Sequence, residues 1–154
     1  MGFLNDGKIK ENEFINLVIK PNQKIILPTK EQDINEHWDV SINDIKFDIK
    51  ALKKVKRSDA DTNQEIHWVE IENVHGKKGW LYGSADYIAF ETNKSWLIVK
   101  RENLVKLVDK NLKVVITSEP EIYKMYSRYG RFDVLTIVPT DDLKKIMTKE
   151  IKKL

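Results

Sequence analysis

Two short runs of strictly alternating residues, 37–42 and 45–52, constrain this chain more than any other feature. In the first, Trp38, Val40 and Ile42 fall on one side and Asp39 and Ser41 on the other. In the second, Ile45, Phe47 and Ile49 oppose Lys46, Asp48 and Lys50. A period of two is the mark of a β-strand with one apolar face. Asn43 and Asp44, both tolerant of positive φ, form a two-residue turn between the runs, so they close as a hairpin. That register pairs Ile42 with Ile45, Val40 with Phe47 and Asp39 with Asp48. The apolar face is continuous, and two carboxylates stand opposite each other on the other face.

Opposed carboxylates destabilise a strand pair unless something cationic lies between them. A third alternating run, 66–74, carries Val69 and Ile71 against Glu70 and Glu72. Asp39, Asp48, Glu70 and Glu72 therefore all point to the non-apolar side of neighbouring strands, with Lys50 beside Asp48. A divalent cation resolves such repulsion, and Mg²⁺ takes one or two carboxylates with waters and a substrate phosphate. A nearby lysine can then stabilise charge growing on a scissile phosphate. The same pattern also describes an ordinary solvent-facing sheet surface, and spacing alone leaves both readings open.

The remaining elements follow from periodicity and breakers. Residues 7–19 read as a helix with Asp6 as cap, stopped by Pro21, and 24–27 as a short apolar run before Pro28. Residues 29–35 read as a polar connector and 53–65 as a charged loop. The stretch 84–90 suits a short helix or a strand. Beyond it come a strand at 95–99, a helix at 101–109 and a strand at 113–117. An irregular aromatic and basic stretch runs to Arg131, then a strand at 133–138 and a final helix with Thr140 as N-cap. A length of 154 residues with 41% hydrophobic residues fits one domain with a single core. No cysteine is present, which excludes disulfides, cysteine-ligated zinc and a cysteine nucleophile. No run reaches the length of a membrane helix and no signal pattern opens the chain, so a cytoplasmic setting, in a bacterium or a phage-infected host, is expected. The net charge of +3 is compatible with nucleic acid without requiring it.

The order helix, three strands, short helix, strand resembles the common core of the PD-(D/E)XK nucleases, over about residues 7–108, with 109–154 as a C-terminal extension. The resemblance implies an α/β (α+β) fold with a restriction-endonuclease-like αβββαβ core, a mixed central sheet flanked by helices. It implies an Asp on the second strand and a (D/E)-x-K on the third as metal ligands, often joined by a Glu from the first helix. One alignment takes Asp48 as the Asp and Glu70-Ile71-Glu72 as the third-strand motif, with Glu11 (or Glu13) from the helix. There Glu72 stands where the family has Lys. A second alignment takes Asp39 as the Asp and Asp48-Ile49-Lys50 as the (D/E)-x-K, leaving Glu70 and Glu72 aside. Both make Asp48 a ligand.

Three histidines, His37, His67 and His75, lack helical zinc spacing and read as surface or hydrogen-bonding groups. Lys53, Lys54, Lys56 and Arg57 form a basic run after the second strand, and Lys77 and Lys78 a basic turn. Both are candidate phosphate contacts or plain solvated loops. Tyr123, Tyr126, Tyr129 and Phe132, interleaved with Lys124, Arg128 and Arg131, are a candidate stacking surface. Trp68 shares the side of Glu70. No nucleotide-binding loop is present. The resulting expectation is a Mg²⁺- or Mn²⁺-dependent endonuclease acting on DNA, with Asp48, Lys50, Glu70 and Glu72 catalytic, Asp39, Asp48, Glu70 and Glu11 around the metal, and a homodimer among its states. The alternative is a non-catalytic module binding nucleic acid or protein, such as a phage or mobile-element accessory protein.

Overall fold

The structure is a computed structural model that describes residues 6–154. It is a mixed α and β fold with four α-helices and two mixed sheets. The elements in order are α1 (Asp6–Val18), β1 (Ile25–Ile26), α2 (Lys30–Glu36), β2 (Val40–Ile42), β3 (Ile45–Lys50), β4 (Ile66–Glu72) and a 3-10 turn at Trp80–Tyr82. Then follow β5 (Tyr87–Glu91), β6 (Ser95–Lys100), α3 (Arg101–Asn111), β7 (Lys113–Thr117), β8 (Lys124–Ser127), β9 (Val134–Pro139), α4 (Thr140–Ile146) and β10 (Lys149–Lys152).

The first sheet runs β1-β2-β3-β5-β6-β10, with β3 and β5 parallel and the other neighbours antiparallel. The hairpin β2–β3 has the register expected from alternation, Val40 with Phe47 and Ile42 with Ile45. Its turn residues Asn43 and Asp44 have φ of 50° and 68°, the left-handed values a tight hairpin needs. One face of this sheet is sealed by α1, whose Phe14 lies edge-on against Trp96 and is tilted against Phe47. The opposite face carries Ile88, Phe90, Leu97 and Val99, packed against Val69, Ile71, Leu104, Val138 and Leu143. Asp48 and Lys50 pair with Ile88 and Phe90 across the parallel β3–β5 ladder. Covered on both sides, the sheet buries what alternation alone assigns to a solvent face.

Several elements depart from the sequence expectation. The strand β4 lies in a second sheet, β4-β9-β8-β7, so a single central sheet does not hold all three alternating runs. The expected connector at 29–35 is largely helix, α2, begun by a capping box in which Thr29 accepts from the Gln32 N–H and Gln32 from the Thr29 N–H. Residues 84–90 resolve as strand β5, and the irregular stretch holds β8. Thr140 does not cap α4. It is the first helical residue, and its hydroxyl donates to the Gln64 carbonyl at 2.7 Å. The chain then ends in β10, an edge strand on β6. No described helix is long and apolar enough to cross a membrane.

Candidate functional site

Strand β3 brings Asp48 and Lys50 onto the face between the two sheets, because residues two apart on a strand point the same way. Asp39, just before β2, stands across the hairpin, where its Oδ2 accepts from the Ile49 N–H at 2.7 Å and its own N–H donates to the Phe47 carbonyl at 2.8 Å. Those bonds hold the Asp39 carboxylate against β3 beside Asp48. Asp48 is only 2% exposed. Its Oδ1 meets Lys50 Nζ at 3.1 Å, and its Oδ2 is buried with no hydrogen-bond partner.

The electrostatics record this crowding. Burial pushes the Asp48 carboxyl well above its usual range, and Asp39 adds to the rise against the opposing pull of Lys50. Glu11, on the first turns of α1, is also raised, first by burial and then by Asp39, with Lys8 opposing at 3.3 Å. Burial works against the Lys50 ammonium, but Asp48, Asp39 and Glu70 outweigh it, so its pKa is raised. Lys50 Nζ also lies 4.7 Å from the centre of the Trp80 ring. Gly79 makes that placement possible. A Cβ there would meet the Glu70 carbonyl oxygen at 2.4 Å, and the Gly79 N–H donates to the Ile71 carbonyl at 2.8 Å.

Glu11 and Asp39 face a cavity of 390 Å³ on one side of this cluster. Lys50 and Glu70 face a smaller cavity of 170 Å³ on the other, which His67, Trp68 and Trp80 also line. The structure thus gathers Glu11, Asp39, Asp48, Lys50 and, through the charge it exerts on Lys50, Glu70. It leaves Glu72 exposed at the end of β4, outside both cavities. Among the described residues, no three His, Asp or Glu side chains are grouped tightly enough to cage a metal ion. Comparison with protein-family models, curated proteins and solved structures gives no match.

The basic run has its own place. Lys53, Lys54, Lys56 and Arg57 line a cleft of 740 Å³ with Trp68 and Tyr126, which shares Lys53, Trp68 and Leu135 with the lining of the smaller cavity. Lys77 and Lys78 do not reach it; Lys78 Nζ sits 6.0 Å from the Tyr82 ring. His37 closes α2 in a left-handed conformation at φ 58°, and His75 is exposed.

Two groups near the site were not singled out by sequence reasoning in this role. His67 is 4% exposed, with an unpartnered Nε2, and burial lowers its pKa to about 4. Glu91, at the end of β5, binds Lys10 at 2.8 Å, Lys153 at 2.7 Å and the Leu52 N–H at 2.9 Å. Burial pushes Glu91 up, yet these three partners hold it below the usual range. It ties α1, β10 and the exit of β3 together, and so sets where the basic loop begins. A glutamate closing the apolar run Tyr87–Glu91 is the only sequence signal for it.

Proposed function

We propose that this chain is a metal-dependent phosphodiesterase acting on DNA, of the PD-(D/E)XK kind, with its site at Asp39, Asp48 and Lys50. The observation that carries the reading is the meeting of two hairpin carboxylates and a strand lysine at one unpartnered carboxylate oxygen, with a helix carboxylate set against Asp39. The strand count supports the second of the two alignments. With β1 counted and α2 read as an insertion between β1 and β2, α1 and β1–β3 supply the family's helix and three strands. Asp39 then heads the second strand and Asp48-Ile49-Lys50 lies on the third. The 3-10 turn and β5 follow in the family's order, and residues 51–79, including β4, read as an insertion.

The donors fit a hard cation. All are carboxylate oxygens, and Mg²⁺ is usually held by one or two of them with waters and substrate phosphate, so a pair suffices without a cage. Asp39 and Asp48 would hold the ion, with Glu11 in support. When bound, Mg²⁺ or Mn²⁺ supplies Lewis-acid charge and a water of lowered pKa. Lys50, kept protonated by the surrounding carboxylates, acts as a charge stabiliser for the phosphate rather than as a base. Glu70 helps to keep it charged. The basic cleft adjoining Lys50 supplies phosphate contacts.

The non-catalytic alternative draws on the closed Asp48–Lys50 pair and on the lack of a three-carboxylate cage among the described residues. Incubation of supercoiled plasmid and branched or single-stranded DNA with Mg²⁺ or Mn²⁺ separates the two. Cutting that is lost in Asp48→Ala supports the nuclease. Absence of cutting on every substrate moves the assignment to the binding module.

A further inference from the structure

Sheet topology, not the hairpin, builds a wide cleft of 740 Å³. The loop after β3 folds back over β4, where the Trp68 indole N–H donates to the Lys54 carbonyl at 3.1 Å. On the far wall stand β8 and the turn that leads to β9. Lys53, Lys54, Lys56 and Arg57 from the loop after β3, and Arg128 and Arg131 from the segment after β8, line the same 740 Å³. Glu119 is the carboxylate in that lining, and it meets Lys56 at 3.2 Å between two exposed side chains, a contact of little worth in water. Arg128 pairs with buried Asp133, which fixes its position. The floor is aromatic: Trp68 and Tyr126 lie 5.7 Å apart at 47°. Tyr129 and Phe132, beside Arg128 and Arg131 in sequence, are almost wholly exposed and 72% exposed.

We propose that this cleft binds a single-stranded polynucleotide, with bases on the Trp68–Tyr126 floor and the backbone along the two basic walls. Six cationic side chains from two segments call for a polyanion, and aromatic rings in the same lining call for one with free π-faces. Bases in a duplex are already stacked on each other and cannot use such a floor. An acidic protein surface would satisfy the cations and leave the rings unused. The cleft shares Lys53, Trp68 and Leu135 as common lining with the cavity that Lys50 faces. A strand in it therefore lies next to the cavity that Lys50 lines. Burial, and after it the neighbouring Lys50, lowers the pKa of Lys53, so a phosphate between the two lysines relieves their repulsion. What happens to the strand there rests on the nuclease reading; binding does not.

The test is fluorescence anisotropy in EDTA, with labelled oligo-dT and oligo-rU of roughly 12 nucleotides, within the usual site size, and a duplex of equal length. The full chain is compared with Lys54→Glu/Arg57→Glu, which changes only exposed side chains, and with Tyr126→Leu, each checked for its fold by circular dichroism. Single strands are expected to bind about tenfold or more tighter than duplex, the scale of one or two stacked bases. The charge reversals should weaken all binding and flatten its salt dependence, while Tyr126→Leu should erase the preference for single strands. Tight binding of oligo-rU alone still supports the cleft and makes the strand RNA. Equal or tighter duplex binding, or no binding of any nucleic acid, overturns the proposal. Because EDTA removes metal, an inactive nuclease leaves this result intact, and plasmid cutting without single-strand binding defeats only the cleft.

Discussion

Asp48 and Lys50, two residues apart on one strand, form a 3.1 Å ion pair that leaves the second carboxylate oxygen of Asp48 buried and unpartnered. Asp39 stands against the same carboxylate and raises its pKa further. A buried carboxylate held beside another is a local cost that folds retain where function requires it.

Replacing Asp48 by Asn removes that repulsion while keeping the shape. In metal-free buffer the variant should be more stable than wild type by about 0.5–2 kcal/mol, the usual gain from a single stabilising substitution, and so unfold at a higher temperature. Thermal denaturation followed by circular dichroism measures it. A lower melting temperature would mean that the Lys50 pair outweighs the repulsion from Asp39.

Ligand linkage gives the complementary sign in the presence of metal. Mg²⁺ or Mn²⁺ at 100 times its dissociation constant should stabilise wild type by about 2.7 kcal/mol. Asp39→Asn and Asp48→Asn should lose most of this gain, and Glu72→Gln none. Equal loss in Glu72→Gln would restore the alignment through Glu70 and Glu72.

Lys50→Met separates holding the metal from stabilising the phosphate. Cleavage should fall by about 10²–10³, the cost of removing one transition-state donor, while the metal-induced rise in melting temperature persists. A metal response lost together with cleavage would mean that Lys50 organises the carboxylates instead.

His67 makes a prediction in pH. Its folded pKa of about 4 lies below the ordinary 6.5, so between those values the unfolded chain binds the extra proton and stability falls as pH falls. The full effect is about 3 kcal/mol, and it acts between pH 6.5 and 4. Asp48, raised in the folded state, works in the opposite sense, so the readout is a difference. His67→Gln should show a shallower loss of stability than wild type across that window in urea titrations. Parallel curves would place the His67 proton elsewhere.

Gly79→Ala tests the packing that sets Trp80 against Lys50. Its new Cβ would stand 2.4 Å from a backbone oxygen of β4, which cannot swing aside as a side-chain tip does. A destabilisation of about 1–3 kcal/mol is expected, with altered Trp fluorescence as the ring leaves Lys50. An unchanged spectrum would separate Gly79 from the site.

The hairpin, its register and the opposition of Asp39 to Asp48 were legible in the sequence because they are local. Alternation sets the faces, and Asn43 and Asp44 set the turn. The basic run and the aromatic stretch were legible as composition, and the capping box at Thr29 and Gln32 was legible in principle from its spacing. Neither the partner of β4 nor the edge strand β10 could be read this way. Strand pairing over long separations is chosen by which apolar faces bury each other, and many pairings satisfy the same pattern.

That non-local choice decided the site. By moving β4 into a second sheet, the fold buried Asp48 between layers, left Lys50 half-buried beside it and Glu72 in solvent, and set Glu70, His67 and Trp80 around Lys50. It also joined the loop after β3 to the β8–β9 turn as one cleft. The sequence by itself determined which residues share a strand face. Only tertiary structure decided which of those faces meets water, because burial depends on what packs above a strand and not on the strand's own period.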